Sequence, residues 1–276
     1  MKLLLFSTSQ DRSLERISEE AMKAGFETSI FLYESLDIEQ IHKILETKWD
    51  RAILRDPYNA EIDYSFYLNY FLSNLKCKIL DEKAMKTYSS YEDKLFQHLF
   101  FEKIVNIPKF GHFHNYDKNK LKSLKYPLIV KRRIASRGKG TFIVKTYKEL
   151  KQLFKNRVIN NFIIQEFKKI KRDLRVIVVN NKILGCVERK VRMKDNHGFT
   201  GVGVKVVGKV KTPAYIEKMA KVVAKKIGGD FCGMDFIQDY KGKWYLVECN
   251  ISPQFVSSER ELNVNIAQKI INILKK

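Results

Sequence analysis

From residue 2 to residue 80 the chain alternates short apolar runs with amphipathic segments, and few folds accept that order. Residues 2–8 read as a buried strand. Residues 13–24 follow helical spacing, with Leu14, Ile17, Ala21 and Ala24 on one stripe and Gly25 as the stop. Then come a strand Thr28–Tyr33, a helix over 38–46, a strand Arg51–Leu54, a helix over 62–75 and a short strand Lys78–Leu80. Strands alternating with helices predict a small parallel sheet of the doubly wound α/β kind. No G-x-G-x-x-G follows the first strand, which argues against a dinucleotide site.

A second unit follows, with a different rhythm. A helix is expected over 90–105, ended by Asn106-Ile-Pro. Strands are expected at Tyr126–Lys131, Thr141–Lys145 and Phe162–Phe167, with a helix over 147–155. Residues 174–179 and 183–190 pair across Asn180-Asn181, a hairpin signal. Residues 191–203 are polar and glycine-bearing and read as a mobile loop. A helix over 213–227 precedes two apolar strands joined by Tyr240-Lys241-Gly242-Lys243, and a helix over 259–274 closes the chain.

That last strand pair carries acids where an apolar residue is expected. Glu248 and Asn250 are two apart and face one side of a strand, with Asp235 across the hairpin. Two carboxylates and an amide oxygen on one sheet face suit Mg²⁺ held together with substrate phosphates. The bland alternative is a half-exposed hairpin whose acids point to water. Lys131, at the end of a buried strand, is followed by Ser136-Arg137-Gly138-Lys139-Gly140. Small residues there let backbone N–H groups approach a phosphate while the lysine supplies charge, although an ordinary hairpin loop also uses two glycines. The segment is not a Walker A loop. Gln165-Glu166-Phe167, Asp173-Leu174-Arg175 and Glu188-Arg189-Lys190 are strand ends with charge. Each reads either as an ordinary solvated end or as a nucleotide contact, Arg189 as a phosphate clamp.

Composition bounds the partners. The net charge is +21, from 52 Lys and Arg against 31 Asp and Glu. Such an excess implies an acidic partner, or it is surface composition spread along the chain. Aromatics do not interleave with lysines in an RNP-like or OB-like pattern, which argues against nucleic acid. Cys77, Cys186, Cys232 and Cys249 lie in apolar runs without C-x-x-C spacing and read as reduced core thiols, favouring a cytoplasmic protein. The first residues lack the pattern of a signal peptide, and no apolar run approaches the roughly 18 residues of a membrane span.

In order, a basic strand with a glycine loop, a Gln-Glu-Phe strand end, Asp-x-Arg, a lone Arg and Asp…Glu-x-Asn resemble the ATP-grasp superfamily. They are most similar to its RimK-type ligases, which join an amine to an ATP-activated carboxylate. The resemblance implies a pre-ATP-grasp α/β domain over 1–85 and an ATP-grasp domain over 86–276, with lobes 86–165 and 166–276. It implies that Lys94, in Tyr91-Glu-Asp93-Lys94, and Lys131 are the two ATP lysines. It assigns Ser136, Gly138 and Gly140 to the phosphate loop, Glu166 and Phe167 to adenine, and Asp173 to the nucleotide. Arg189 falls on the phosphate side and acts with Lys131 in catalysis, while Asp235, Glu248 and Asn250 are the metal ligands. The implied cofactors are ATP and Mg²⁺, with Mn²⁺ as the substitute ion. The implied reaction forms an amide through an acyl phosphate, between an acidic carboxylate and an amine, in a protein that assembles as a homo-oligomer in some relatives.

Two departures stand out. Gln254 occupies the glycine of the usual Ser-Pro-Gly turn after the Asn ligand, and Asn…Gln-Phe is similar to ligases that cross-link peptides. Residues 197–203 lack the family's Asn and Arg-Gly-Gly. Acceptor identity therefore stays open between an amino-acid ligase and a ligase making internal links in a ribosomal peptide. A nucleic-acid-binding protein and a non-catalytic nucleotide-binding relative are the remaining alternatives.

Overall fold

The early alternation of strands and helices becomes a parallel sheet. The computed structural model describes residues 1–55, 64–88, 90–135, 140–190, 206–251 and 253–276, and the backbone of 192–194 and 197–199. Strands β1 (Lys2–Ser7), β2 (Glu27–Leu32), β3 (Arg51–Leu54) and β4 (Lys78–Ile79) run parallel in the order β2-β1-β3-β4. Helices α1 (Arg12–Lys23), α2 (Ile38–Glu46) and α3 (Ser65–Asn74) connect them. Asp11 caps α1 by accepting from the Leu14 N–H, and Asp37 with Gln40 forms a capping box on α2. Leu3 and Leu5 face one core with Leu14 and Ile17. Leu4 and Phe6 face another with Ile44 and Phe71. Burial on both faces explains why β1 is apolar throughout rather than alternating.

The helix expected over 90–105 is shorter, α5 (Lys94–Phe101), and is preceded by a separate helix that was not expected, α4 (Glu82–Thr87). Asp93 sets the start of α5 by accepting from the Leu95 N–H, so residues 90–93 turn rather than coil. The next sheet is antiparallel, in the order β5-β8-β6-β7, from β5 (Phe110–His112), β6 (Leu128–Arg132), β7 (Thr141–Val144) and β8 (Phe162–Glu166). Helices α6 (Lys118–Lys122) and α7 (Tyr147–Leu153) pack on it.

A third sheet positions the candidate site. It comprises β9 (Ile170–Val179), β10 (Lys182–Arg189), β13 (Val206–Val210), β14 (Phe231–Asp239) and β15 (Trp244–Ile251), antiparallel in the order β13-β10-β9-β14-β15. Asn180 and Asn181 both take positive φ, the turn expected there. The segment read as a mobile loop contains an antiparallel ladder of β11 (Arg192–Lys194) with β12 (His197–Phe199). There the backbone groups pair with each other rather than with water. Helix α8 (Ala214–Ile227) ends at Gly228 with φ 73°.

The closing helix is instead two, α9 (Val256–Leu262) and α10 (Ile266–Leu274). Asn263 adopts φ 53° and breaks the run, and Asn265 caps α10 by accepting from the Gln268 N–H. Ile266, Ile270 and Leu274 share a core with Leu3, Leu5, Leu14 and Ile17, so the last helix covers the first sheet. All four cysteines are free thiols.

Candidate active site

Four strands of the third sheet bring charge to one face. Arg189 of β10 pairs with Asp173 of β9, Arg175 of β9 with Asp235 of β14, and Asp235 with Glu248 of β15. Gly233 lies opposite Asn250. Partners directly across an antiparallel ladder share a face. The opposite face is apolar, with Leu174, Val176, Met234, Phe236, Leu246 and Cys249 in one core.

A regular β15 would not give this arrangement. Leu246 and Glu248 are two apart, so strict alternation would send Glu248 into the core behind Leu246. The ladder breaks between Asp235 and Phe236, and Val247 is the extra residue between Leu246 and Glu248. This bulge re-aims the strand, leaving Leu246 and Cys249 on the core face and Glu248 and Asn250 beside Asp235.

The face carries a closed arginine–carboxylate network. Arg175 donates two bonds to Asp235, at 2.7 and 2.8 Å. Arg189 donates to Asp173 Oδ1 from Nε and Nη2, at 3.1 and 2.6 Å, and to Asp235 Oδ2 from Nη1 at 3.0 Å. Burial works against the Asp235 charge, yet Arg175 and Arg189 outweigh it and bring the carboxyl down to about 2. For Asp173, which is 0% exposed, burial prevails over Arg189 and pushes the carboxyl up to about 6. Burial likewise opposes the Arg189 charge, and Asp235 and Asp173 hold the guanidinium above its usual range.

Helix α5 and strand β6 bring in the lysines. Lys94 Nζ lies 3.2 Å from Glu248 Oε1 and donates to the Ala135 carbonyl at 2.7 Å. Lys131, on β6, feels the charges of Glu248, Lys94 and Asp235, and burial brings it down to about 8. His98 joins α5 to the second sheet, its Nδ1 bonding the Lys94 carbonyl at 2.6 Å and its Nε2 meeting the Gln165 carboxamide. Burial, with the nearby Lys131 and Lys94 charges, lowers His98 to about 4, so the ring is neutral near pH 7.

The structure thus brings together Lys94, Lys131, Asp173, Arg189, Asp235, Glu248 and Asn250. Glu166 ends β8, where one oxygen accepts from the Lys109 N–H at 2.8 Å and the other pairs with Lys168 at 2.9 Å. Phe167 follows it, partly buried. Gly140 sits at the start of β7 with φ 74°, its carbonyl accepting from the Arg132 N–H at 2.9 Å. Ser136 and Gly138 lie outside the described residues. Sequence reasoning gave no role to Arg175, Gln97 or His98. Arg175 was visible in the Asp-x-Arg spacing, which puts it on the Asp173 face. Gln97 and His98 carried no signal apart from their place one turn beyond Lys94.

The residues fit Mg²⁺ with a nucleoside triphosphate. The donors are hard oxygens, and a carboxylate offers about four lone pairs, of which Asp235 uses three. Among the described residues no three His, Cys, Asp or Glu gather to enclose a metal, and the candidate set here is two carboxylates and an amide. Asp173 Oδ2 is buried without a hydrogen-bond partner, an atom a bound ligand's hydroxyl would satisfy.

A family model, the RimK-like ATP-grasp domain, matches residues 92–274. Among solved structures, the ATP-grasp ligase PsnB complexed with a minimal precursor superposes with a TM-score of 0.71 at 16% identity. That match covers 99% of this chain and 98% of that one. D-alanine–D-alanine ligase from Bacillus anthracis gives 0.71 at 14% identity, covering 100% and 96%. A Chryseobacterium gregarium RiPP-associated ATP-grasp ligase, in complex with ADP and a leader and core peptide, gives 0.70 at 17%, covering 99% and 96%. No curated protein sequence matches significantly. With the matched domain spanning well over half its length, the chain belongs to the RimK-like ATP-grasp family of ligases.

Proposed function

We propose that the protein is an ATP-dependent carboxylate–amine ligase whose carboxylate substrate is acidic. One observation carries the reading. The β15 bulge sets Glu248 and Asn250 beside Asp235 on the face where Arg189, Lys94 and Lys131 converge. In the proposed reaction a substrate carboxylate oxygen attacks the γ-phosphorus of ATP, and the bond to ADP breaks. The amine nitrogen then attacks the acyl carbonyl, expelling phosphate and losing its proton as the amide forms. Asp235, Glu248 and Asn250 would hold Mg²⁺, which would supply positive charge against the charge that develops on transfer.

The chain's own residues supply the rest. Arg189 has five N–H groups and spends three on Asp173 and Asp235, which leaves two for a phosphoryl oxygen. Asp173 aims that guanidinium from beneath. Lys94 and Lys131 oppose the phosphate charge, and Glu166 and Phe167 border the adenine. The excess of 21 positive charges suits an acidic peptide or protein tail as donor.

The test is a melting shift with Mg²⁺ and a non-hydrolysable ATP analogue. Ligand at 100 times Kd adds about 2.7 kcal/mol, and Glu248→Ala should weaken the resulting rise in Tm. No rise in either protein at millimolar analogue would sink the reading. A ligase that closes links within one ribosomal peptide is the second reading, favoured by two structural neighbours, one complexed with a minimal precursor and one with a leader and core peptide. Mass spectrometry separates the two. An internal link removes one water from the peptide, whereas ligation to a separate amine adds that amine less one water.

A further inference from the structure

Gln97 grips the main chain between two of the proposed metal ligands. It is 2% exposed, on the same face of α5 as Lys94, three residues earlier. Its Nε2 donates to the Cys249 carbonyl at 2.9 Å and to the Tyr91 carbonyl at 2.8 Å. Its Oε1 accepts from the Cys249 N–H at 2.9 Å. Both amide hydrogens are therefore used, and one carboxamide satisfies both main-chain groups of a strand residue.

Cys249 stands between Glu248 and Asn250 on β15, the edge strand of its sheet. Two positions earlier the bulge at Val247 interrupts the ladder to β14, so pairing with β14 fixes this stretch less well than a regular strand. Gln97 takes the place of a neighbouring strand for one residue. The Cys249 side chain turns to the core, and its two neighbours turn to the charged face. The same helix sends Lys94 to Glu248.

We propose that Gln97 is a positioning residue. It fixes the Glu248–Asn250 backbone for Mg²⁺ and, through α5, holds those ligands in register with Lys94. This rests on the ligase reading above. Residues that orient metal ligands typically alter metal affinity by about 10–100-fold when replaced. Gln97→Glu keeps an acceptor for the Cys249 N–H and, while ionised, faces two carbonyls with no proton to donate. Protonation restores one donor. Gln97→Leu removes all three bonds.

The experiment is calorimetric titration of ADP into wild type, Gln97→Glu and Gln97→Leu, in EDTA and across a Mg²⁺ series. In the variants the Mg²⁺ concentration that half-saturates the enhancement of ADP binding should rise by about tenfold or more. ADP binding in EDTA should stay close to wild type. Gln97→Glu should regain Mg²⁺ response, relative to wild type at the same pH, between about pH 8 and about pH 6. A folded Gln97→Glu with wild-type Mg²⁺ dependence at both pH values overturns the proposal, even if Gln97→Leu does not fold. Absence of Mg²⁺-dependent ADP binding in wild type would instead overturn the ligase reading, and this proposal with it.

Discussion

Burial brings the Lys131 ammonium down to about 8, from 10.5 for a free lysine, against the opposing pull of Glu248 and Asp235. The folded protein gives up this proton at a lower pH than the unfolded chain. Lys131 therefore weighs against stability below about pH 8, and the burden lifts as pH rises from about 8 toward 10.5. A bound phosphate would favour the charged form and raise that value again. ADP affinity in wild type should accordingly fall above pH 8, approaching about tenfold per pH unit. Lys131→Arg, which keeps its charge, should stay flat across the same range by equilibrium dialysis. A wild type as flat as the arginine variant would remove Lys131 from the phosphate site. At this scale Lys131, Asp173, Arg189, Asp235, Glu248 and Asn250 stood out in the sequence because each breaks an apolar pattern or lies at a charged strand end, whereas Lys94 was singled out only by the family resemblance. The pairing of these residues could not be read there. That Asp173 sits beneath Arg189, and that Arg175 and Arg189 share Asp235, depends on strand neighbours tens of residues apart.

Among the elements, β14 and β15 decide the site. Gly233 leaves room for the segment that follows Asn250, since a Cβ there would stand 2.7 Å from Pro253 Cγ. The proline ring cannot rotate aside, so Gly233→Ala should cost about 1–3 kcal/mol. The measurement is the urea midpoint, expected to fall with an unchanged m-value. An unchanged midpoint would mean that Pro253 gives way at little cost. Gln254 turns to the first unit. Its Oε1 accepts from the Ser13 hydroxyl at 3.1 Å, and its amide donates to Asp11. Hairpin, strand and helix types were legible from period and turn residues. The bulge was not, because Trp244 to Asn250 reads as a plain apolar strand with no residue that marks the irregularity. The splitting of the last helix turned on one asparagine whose left-handed conformation the pattern did not require.

Across the whole molecule, the first sheet and the last helix form one core. Arg16 Nε meets Glu259 Oε2 at 3.0 Å, Arg51 donates to the Leu274 carbonyl, and Asp81 accepts from the Phe231 N–H at 2.8 Å. Ile270 is fully buried, so Ile270→Ala should cost about 2–5 kcal/mol. Trp49 and Trp244, the two tryptophans, report on opposite parts of the chain. In Trp49→Phe and Trp244→Phe, the remaining tryptophan should trace coincident urea transitions, both lowered by Ile270→Ala. Separate transitions would establish residues 1–85 as an independently folding domain.

What the sequence determined by itself was local and ordered. It set the alternation of strands and helices, the turn at Asn180-Asn181, and the succession of lysines, arginines and carboxylates. Periodicity and residue chemistry act over a few positions, and the family order is a linear string. The tertiary structure alone decided that Val247 bulges out so that Glu248 faces Asp235 rather than the core. It also decided that Gln97 bonds the main chain 152 residues away and that the last helix covers the first sheet. Such contacts gain their free energy only when distant segments are brought together, so no local pattern records them.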